Sequence, residues 1–261
     1  MILNYKNSRI HYTTEGKGDS IVLLHGFLES VEMWQDLVTE FSTTNNVICI
    51  DLLGHGKTDC IGYVHTMEAM AEAVLAVLEH LNIENTHVVG HSMGGYVALA
   101  LAEKKPELFK GLCLMNSTYE TDDNTRKRIR TRASEMAQQN YEVLVQMSFA
   151  NLFAPESKVK YEAAYEKALQ LALETPLQGY IAAQEGMKLR PDRFEVLKNL
   201  KCKKIIIAGK KDSLIDTDQI LEKIKTTDID FIEFSEGHMS YIENKSELSD
   251  NILLFIENSP L

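Results

Sequence analysis

The passage that most constrains this chain runs from Thr86-His87-Val88-Val89 through Gly90-His91-Ser92-Met93-Gly94-Gly95 into Tyr96-Val97-Ala98-Leu99. A short apolar run of buried-strand character enters a glycine-flanked turn, and the turn enters a helical pattern that continues to Lys104 before Pro106. Glycines on both sides of Ser92 allow neighbouring backbone to pass where a Cβ would clash, and they allow the serine itself to sit in strained geometry. A G-x-S-x-G string alone could be an ordinary turn packing a helix onto a sheet. Flanked by a buried strand and a helix, it has the context of a nucleophile elbow.

The rest of the chain repeats the same alternation. Ile10, Tyr12 and Thr14 alternate with polar neighbours, whereas Ile21-Val22-Leu23-Leu24 and Val47-Ile48-Cys49-Ile50 are continuous apolar runs. Similar runs occupy Gly111-Leu112-Cys113-Leu114-Met115, Lys204-Ile205-Ile206-Ile207-Ala208 and Asp230-Phe231-Ile232-Glu233-Phe234. Between strands, Met70, Val74, Val77, Leu78 and Leu81 recur at helical spacing. Strand alternating with helix predicts an α/β fold with a mostly parallel sheet. Strand signals stop between Asn116 and about Arg190, where Ala, Glu, Lys, Gln, Met and Tyr predominate. Large apolar residues such as Met136, Leu144, Met147, Phe149, Phe153 and Tyr165 exclude a linker there, so residues 117–190 are expected to form a helical subdomain inserted into a core of 1–116 and 191–261.

A serine hydroxyl is a weak nucleophile at neutral pH and requires a histidine base and a carboxylate, expected later in the chain in the order Ser, Asp, His. Asp212 follows Ile205-Ile206-Ile207-Ala208 in the loop Gly209-Lys210-Lys211-Asp212, at the carboxyl end of a core strand. Asp216 and Asp218 lie nearby, and Asp122 or Asp123 follows an earlier strand end, so the acid is assigned to Asp212 on placement. His238 sits in Ser235-Glu236-Gly237-His238-Met239 after the last strand, whereas His11, His65, His80 and His87 read as surface or satisfied structural groups. A tetrahedral intermediate also needs backbone N–H donors, which would come from Met93 and from Phe27 in the turn His25-Gly26-Phe27. His25 reads as a structural hydrogen-bonding residue. The loop Asp51-Leu52-Leu53-Gly54-His55-Gly56-Lys57-Thr58 lacks GxGxxG and opens no helix, so nucleotide binding is not supported.

Composition narrows the partners. The 38 acidic residues outnumber 27 basic ones, and a net charge of −11 repels phosphate backbones and anionic lipid heads, which argues against nucleic acid or a membrane surface as partner. Cys49, Cys60, Cys113 and Cys202 are widely spaced with no CxxC or HExxH pattern, so they are expected to be reduced thiols and no metal site is expected. No signal-like start and no apolar stretch approaching the roughly 20 residues of a membrane span is visible, which sets the expectation of a cytoplasmic protein acting on a small molecule without cofactor. The one basic cluster, Arg126 to Arg132, would be either an anion-binding surface or a solvated helix face.

Taken together, His25-Gly26-Phe27, Asp51-x-x-Gly54-x-Gly56, Gly90-His91-Ser92-Met93-Gly94-Gly95, Asp212 and Gly237-His238 resemble the α/β-hydrolase fold superfamily over nearly the whole chain. The resemblance implies an eight-stranded, mostly parallel sheet flanked by helices, with a helical cap inserted after the sixth strand and roofing the active site. It implies a Ser92–His238–Asp212 triad hydrolysing a small ester or thioester through an acyl-enzyme. The scaffold also carries lyases and C–C bond hydrolases, which the basic cluster would suit if the substrate is an anionic metabolite, and catalytically idle binding proteins. Ser92 at the elbow removes the branches of the family that carry aspartate there.

Overall fold

The computed structural model describes residues 1–259. Its strands are β1 (Ile2–Tyr5), β2 (Ser8–Gly16), β3 (Asp19–Leu24), β4 (Asn45–Ile50), β5 (Thr86–His91), β6 (Phe109–Met115), β7 (Lys203–Gly209) and β8 (Ile229–Phe234). They form one eight-stranded sheet in the order β1-β2-β4-β3-β5-β6-β7-β8. β2 pairs antiparallel with both β1 and β4, and every pairing from β4 through β8 is parallel. Of these strands only β1 escapes the sequence reading, because four residues with exposed and half-buried positions carry too little hydrophobic pattern.

The central strands are apolar on both faces because both faces are covered. Val22, Leu24, Ile48, Ile50, Val88, Leu112, Leu114 and Ile206 point to one side, where the helices Met67–His80 and Met93–Lys104 pack on them. Ile21, Leu23, Val47, Cys49, Val89, Cys113, Ile205 and Ile207 point to the other, against Trp34, Leu37 and Phe41 and against Leu248, Ile252 and Phe255 of the last helix. Successive residues of each strand thus belong to alternate cores, as the two-residue strand period requires. The helix Met67–His80 begins where Thr66 Oγ1 accepts a hydrogen bond from the Ala69 amide at 3.1 Å.

Helices alone fill the chain between β6 and β7: Asn124–Ala137, Tyr141–Ala150, Ser157–Lys160, Glu162–Leu173, Leu177–Leu189 and Phe194–Asn199. Val145, Phe149, Leu169 and Tyr180 from these helices, and Phe153 from the loop after Tyr141–Ala150, form a third apolar cluster with Leu28 and Met239, which lie in the loops after β3 and β8. A buried charge cluster adds a second tie. Asp122, with a fully buried side chain, accepts from Arg130 Nε and lies 2.8 Å from the equally buried Arg190, whose guanidinium stacks 4.0 Å from the Tyr96 ring centroid.

The basic run is therefore divided, because its alternate residues point in different directions around one helix. Arg130 faces Asp122 and Gln184, Arg126 donates to the Leu214 carbonyl, and only Lys127, Arg128 and Arg132, with Asn124, Thr131 and Glu135, line an open groove. Asp122→Ala would leave two guanidinium groups without their buried counter-charge. It should destabilise the protein by about 3–5 kcal/mol in urea unfolding, well beyond the change from Asp123→Ala, which removes only a helix cap.

Candidate active site

Four loops meet at the carboxyl ends of β3, β5, β7 and β8, and between them they carry every residue singled out for chemistry. Ser92 occupies the turn between β5 and the helix Met93–Lys104 with φ +48° and ψ −114°, a region that ordinary side chains avoid at a cost of order 1–3 kcal/mol. The turn closes only because its glycines carry no side chain. A Cβ on Gly90 would stand 2.5 Å from the Gly94 carbonyl oxygen, and one on Gly94 would run into the carbonyls of Leu24 and His25. That second approach brings the elbow against the turn holding Phe27.

His238 Nε2 lies 2.9 Å from Ser92 Oγ, and His238 Nδ1 lies 2.7 Å from Asp212 Oδ2. Asp212 also accepts from the Leu214 amide at 2.8 Å, the Ile215 amide at 3.3 Å and Asn116 Nδ2 at 3.1 Å. Burial pushes its carboxyl pKa upward, but the His238 ring, those amides and Asn116 outweigh it, and the net direction is downward. An ionised Asp212 can only accept, so Nδ1 carries the proton and Nε2 is left bare to accept from the Ser92 hydroxyl. The other carboxylates considered do different work. Asp216 caps the helix Thr217–Ile224 through the Gln219 amide, Asp123 caps Asn124–Ala137, and Asp122 holds the two arginines.

Met93 opens its helix, so its N–H is among the first-turn amides that have no acceptor within the helix. The Phe27 turn is positioned from two sides. His25 Nδ1 lies 2.7 Å from the Gly26 carbonyl while its Nε2 accepts from the Leu52 amide at 2.9 Å, which fixes a neutral ring; burial lowers its pKa accordingly. Asp51 anchors the neighbouring loop, accepting from the amides of Val31 and Lys57 at 2.8 and 2.9 Å and lying 2.7 Å from His11 Nδ1. The D-x-x-G-x-G string is accordingly a structural loop, in which Gly56 packs its backbone directly on the Asp51 carboxylate.

Several participants left little trace in the sequence. Asn116, at φ +45° just after β6, donates to both Asp212 and the Gly237 carbonyl. Glu29 and His91 form a buried pair beneath the elbow. Glu243, almost fully buried, accepts from the amides of Ala154 and Met239, while the His238 amide donates to the Leu152 carbonyl at 2.9 Å, so residues 152–154 of the helical insertion lie directly on the histidine loop. Among the remaining histidines only His80 is exposed. His87 departs from the expectation of a surface or satisfied group: it is buried with neither ring nitrogen partnered among the described residues, and burial lowers its pKa to about 4. The four cysteines are free thiols; burial pushes Cys49 up to about 12 and Cys202 to about 11, away from the thiolate. Among the described residues no group of acidic, histidine and cysteine side chains could hold a metal ion, and no helix is long and apolar enough to cross a membrane.

Residues 19–245 match the family model of the alpha/beta hydrolase fold. A 3-oxoadipate enol-lactonase of Acinetobacter baylyi is 30% identical over 216 residues, which cover 81% of this chain and 78% of that one. An (E)-2-((N-methylformamido)methylene)succinate hydrolase of the same organism is 26% identical over 137 residues, about half of each chain. Among solved structures, a thermophilic esterase of Thermogutta terrifontis with malate bound superposes with a TM-score of 0.93 at 26% identity, over 99% of this chain and 98% of that one.

The depressed Asp212 carboxyl has a consequence for stability. A carboxylate whose folded pKa lies below its ordinary value of 3.8 contributes stability that is present above that value and lost as pH falls through the folded pKa. The difference in urea midpoint between the native chain and Asp212→Asn should therefore shrink as pH is lowered from 5 to 3. A difference that widens below pH 4 would contradict this ionisation.

Proposed function

The chain belongs to the alpha/beta hydrolase fold family and is an enzyme of that hydrolase class, and from that premise we propose that it cleaves a small carboxylic ester or thioester with Ser92 as nucleophile. The observation that carries this reading is the unbroken hydrogen-bonded chain from Ser92 Oγ through His238 to Asp212, mounted on a positive-φ elbow. His238 Nε2 takes the hydroxyl proton as Oγ attacks the substrate carbonyl, then returns it to the leaving oxygen or sulfur. Asp212 holds the tautomer and stabilises the transient imidazolium. The amides of Phe27 and Met93 would donate to the oxyanion, and a water activated by the same His238 nitrogen would release the acyl group from Ser92. In this reading residues 117–190 form a cap over the site, supported by the apolar cluster that its helices share with Leu28 and Met239.

Multiple-turnover hydrolysis of p-nitrophenyl acetate or butyrate tests the assignment. Ser92→Ala should abolish turnover, and Asp212→Asn should lower kcat by about 10⁴ on the precedent of the serine-protease triad. Asp216→Asn should stay within about threefold of the native rate, because its carboxylate only caps a helix. A native rate in Ser92→Ala would overturn the proposal, and a severe loss in Asp216→Asn with Asp212→Asn unaffected would move the acid.

A second reading gives the substrate a carboxylate of its own. It is favoured by the open groove of Lys127, Arg128 and Arg132 on an otherwise acidic chain, together with relatives named for a 3-oxoadipate enol-lactone and a succinate derivative. Replacing all three groove cations by glutamine should raise KM for the p-nitrophenyl monoester of succinic acid severalfold and leave p-nitrophenyl butyrate unchanged. Equal effects on both esters would argue against this reading.

A further inference from the structure

Beneath the elbow, another histidine–carboxylate pair touches three of the loops that make the site. Glu29, buried in the loop after β3, uses one oxygen, Oε2, to accept from the Gly26 amide at 2.6 Å and to meet His91 Nδ1 at 2.7 Å. His91, the residue immediately before Ser92, turns its other nitrogen, Nε2, to the main-chain carbonyl of His238 at 3.0 Å. Both His91 ring nitrogens thus face oxygen acceptors, and a carbonyl cannot donate. With Glu29 ionised, as the direction of its pKa has it, only a doubly protonated ring satisfies both contacts with one proton per hydrogen bond.

Resting on the reading of Ser92, His238 and Asp212 as a hydrolytic triad, we propose that Glu29 and His91 are positioning residues: a buried ionic clamp that fixes the His238 backbone and the Gly26–Phe27 turn relative to Ser92. One carboxylate then sets two distances at once, between base and nucleophile through the His238 carbonyl, and between oxyanion donor and nucleophile through the Gly26 amide. The charge state follows from the surroundings. Burial disfavours both charges, but Glu29 raises the His91 pKa and His91 lowers that of Glu29, with smaller contributions from the His238 carbonyl and Asp212 on His91 and from His25 and the Gly26 amide on Glu29. The other groups facing the His91 ring are the His238 ring at 5.1 Å and the Tyr241 ring at 5.8 Å between centroids, and Tyr241 is held neutral by its own burial.

Glu29→Gln tests the clamp because glutamine keeps the size and one carbonyl acceptor but removes the charge that holds the second proton on His91. On p-nitrophenyl butyrate at pH 7, with active serines counted by a fluorophosphonate titration, kcat per active site should fall by about 10²-fold, the scale of a roughly 1 Å misplacement, while KM changes less than threefold. Nitrogen NMR of the histidine rings should find both His91 nitrogens protonated at pH 7 in the native chain; this measurement needs no variant to fold. A kcat per active site within threefold of native in Glu29→Gln, or a neutral His91 in the native chain, overturns the clamp. Ser92→Ala is run in parallel: if it is inactive while Glu29→Gln is native-like, the clamp alone fails, and if it remains active, the underlying hydrolytic reading fails.

Discussion

The backbone crossing at Gly90, Gly94 and the Leu24–His25 carbonyls is the constraint on which the rest of this site depends. β5 must end, reverse and enter a helix within a few residues, and Ser92 absorbs that reversal at φ +48°. The strain persists because its surroundings over-determine it. The Ser92 amide donates to the Met115 carbonyl of β6, the Gly95 amide returns to the Ser92 carbonyl, and Ser117 Oγ donates to that same carbonyl at 2.7 Å. A side chain at Gly94 would push the elbow away from the turn that carries Phe27, so the spacing of Ser92 and Phe27 is set by the absence of a Cβ.

Around this crossing, loop position is held mainly by buried carboxylates that accept backbone amides. Asp51 gathers Val31 and Lys57, Asp212 gathers Leu214 and Ile215, Glu29 takes Gly26, and Glu243 joins Ala154 to Met239. Loop amides have no ladder to satisfy them, and a charged acceptor forms hydrogen bonds about twice as strong as a neutral one. An acidic surplus that looks, in composition, like a simple statement about solubility is thus partly internal architecture. The Glu243 bridge also means that segment 152–154 and the histidine loop cannot shift independently, since the His238 amide is bound to the Leu152 carbonyl as well.

How legible each part was follows from how local its signal is. β5, the elbow and the following helix are legible together because strand pattern, glycine placement and helix pattern occupy one continuous stretch. Of the seven longer strands the inner ones are legible because burial on both faces produces apolar runs, whereas β2 shows alternation and the edge strand β8 shows only Phe231, Ile232 and Phe234 between acidic residues. His238 and Asp212 can be located by chain order and strand ends, but their distances to one another are properties of the sheet. Glu29, Asn116 and Glu243 are invisible for the same physical reason: each has a partner distant in sequence, His91 for Glu29, Asp212 and Gly237 for Asn116 and Ala154 for Glu243, leaving no spacing rule behind. The basic run at 126–132 is ambiguous in sequence because only the helix phase separates Arg130, turned to buried Asp122, from Lys127 and Arg132, turned to the groove.

The two buried charge clusters, Asp122 with its arginines and Glu29 with His91, also hold main-chain groups. Desolvating both members of a pair can cost as much as their attraction returns, so neither pair is an argument for stability by its presence. Asp122 with Arg130 and Arg190 joins the start of the helical insertion to its far end, and Arg190 also donates to the Glu120 and Met187 carbonyls at 3.0 and 2.9 Å. Glu29 and His91 likewise hold main-chain groups, here on the loops around Ser92. Apolar side chains there would leave the Gly26 amide and the His238 carbonyl without the partners they have now. The charge is therefore buried where two main-chain groups converge, and His91 lies one residue before Ser92.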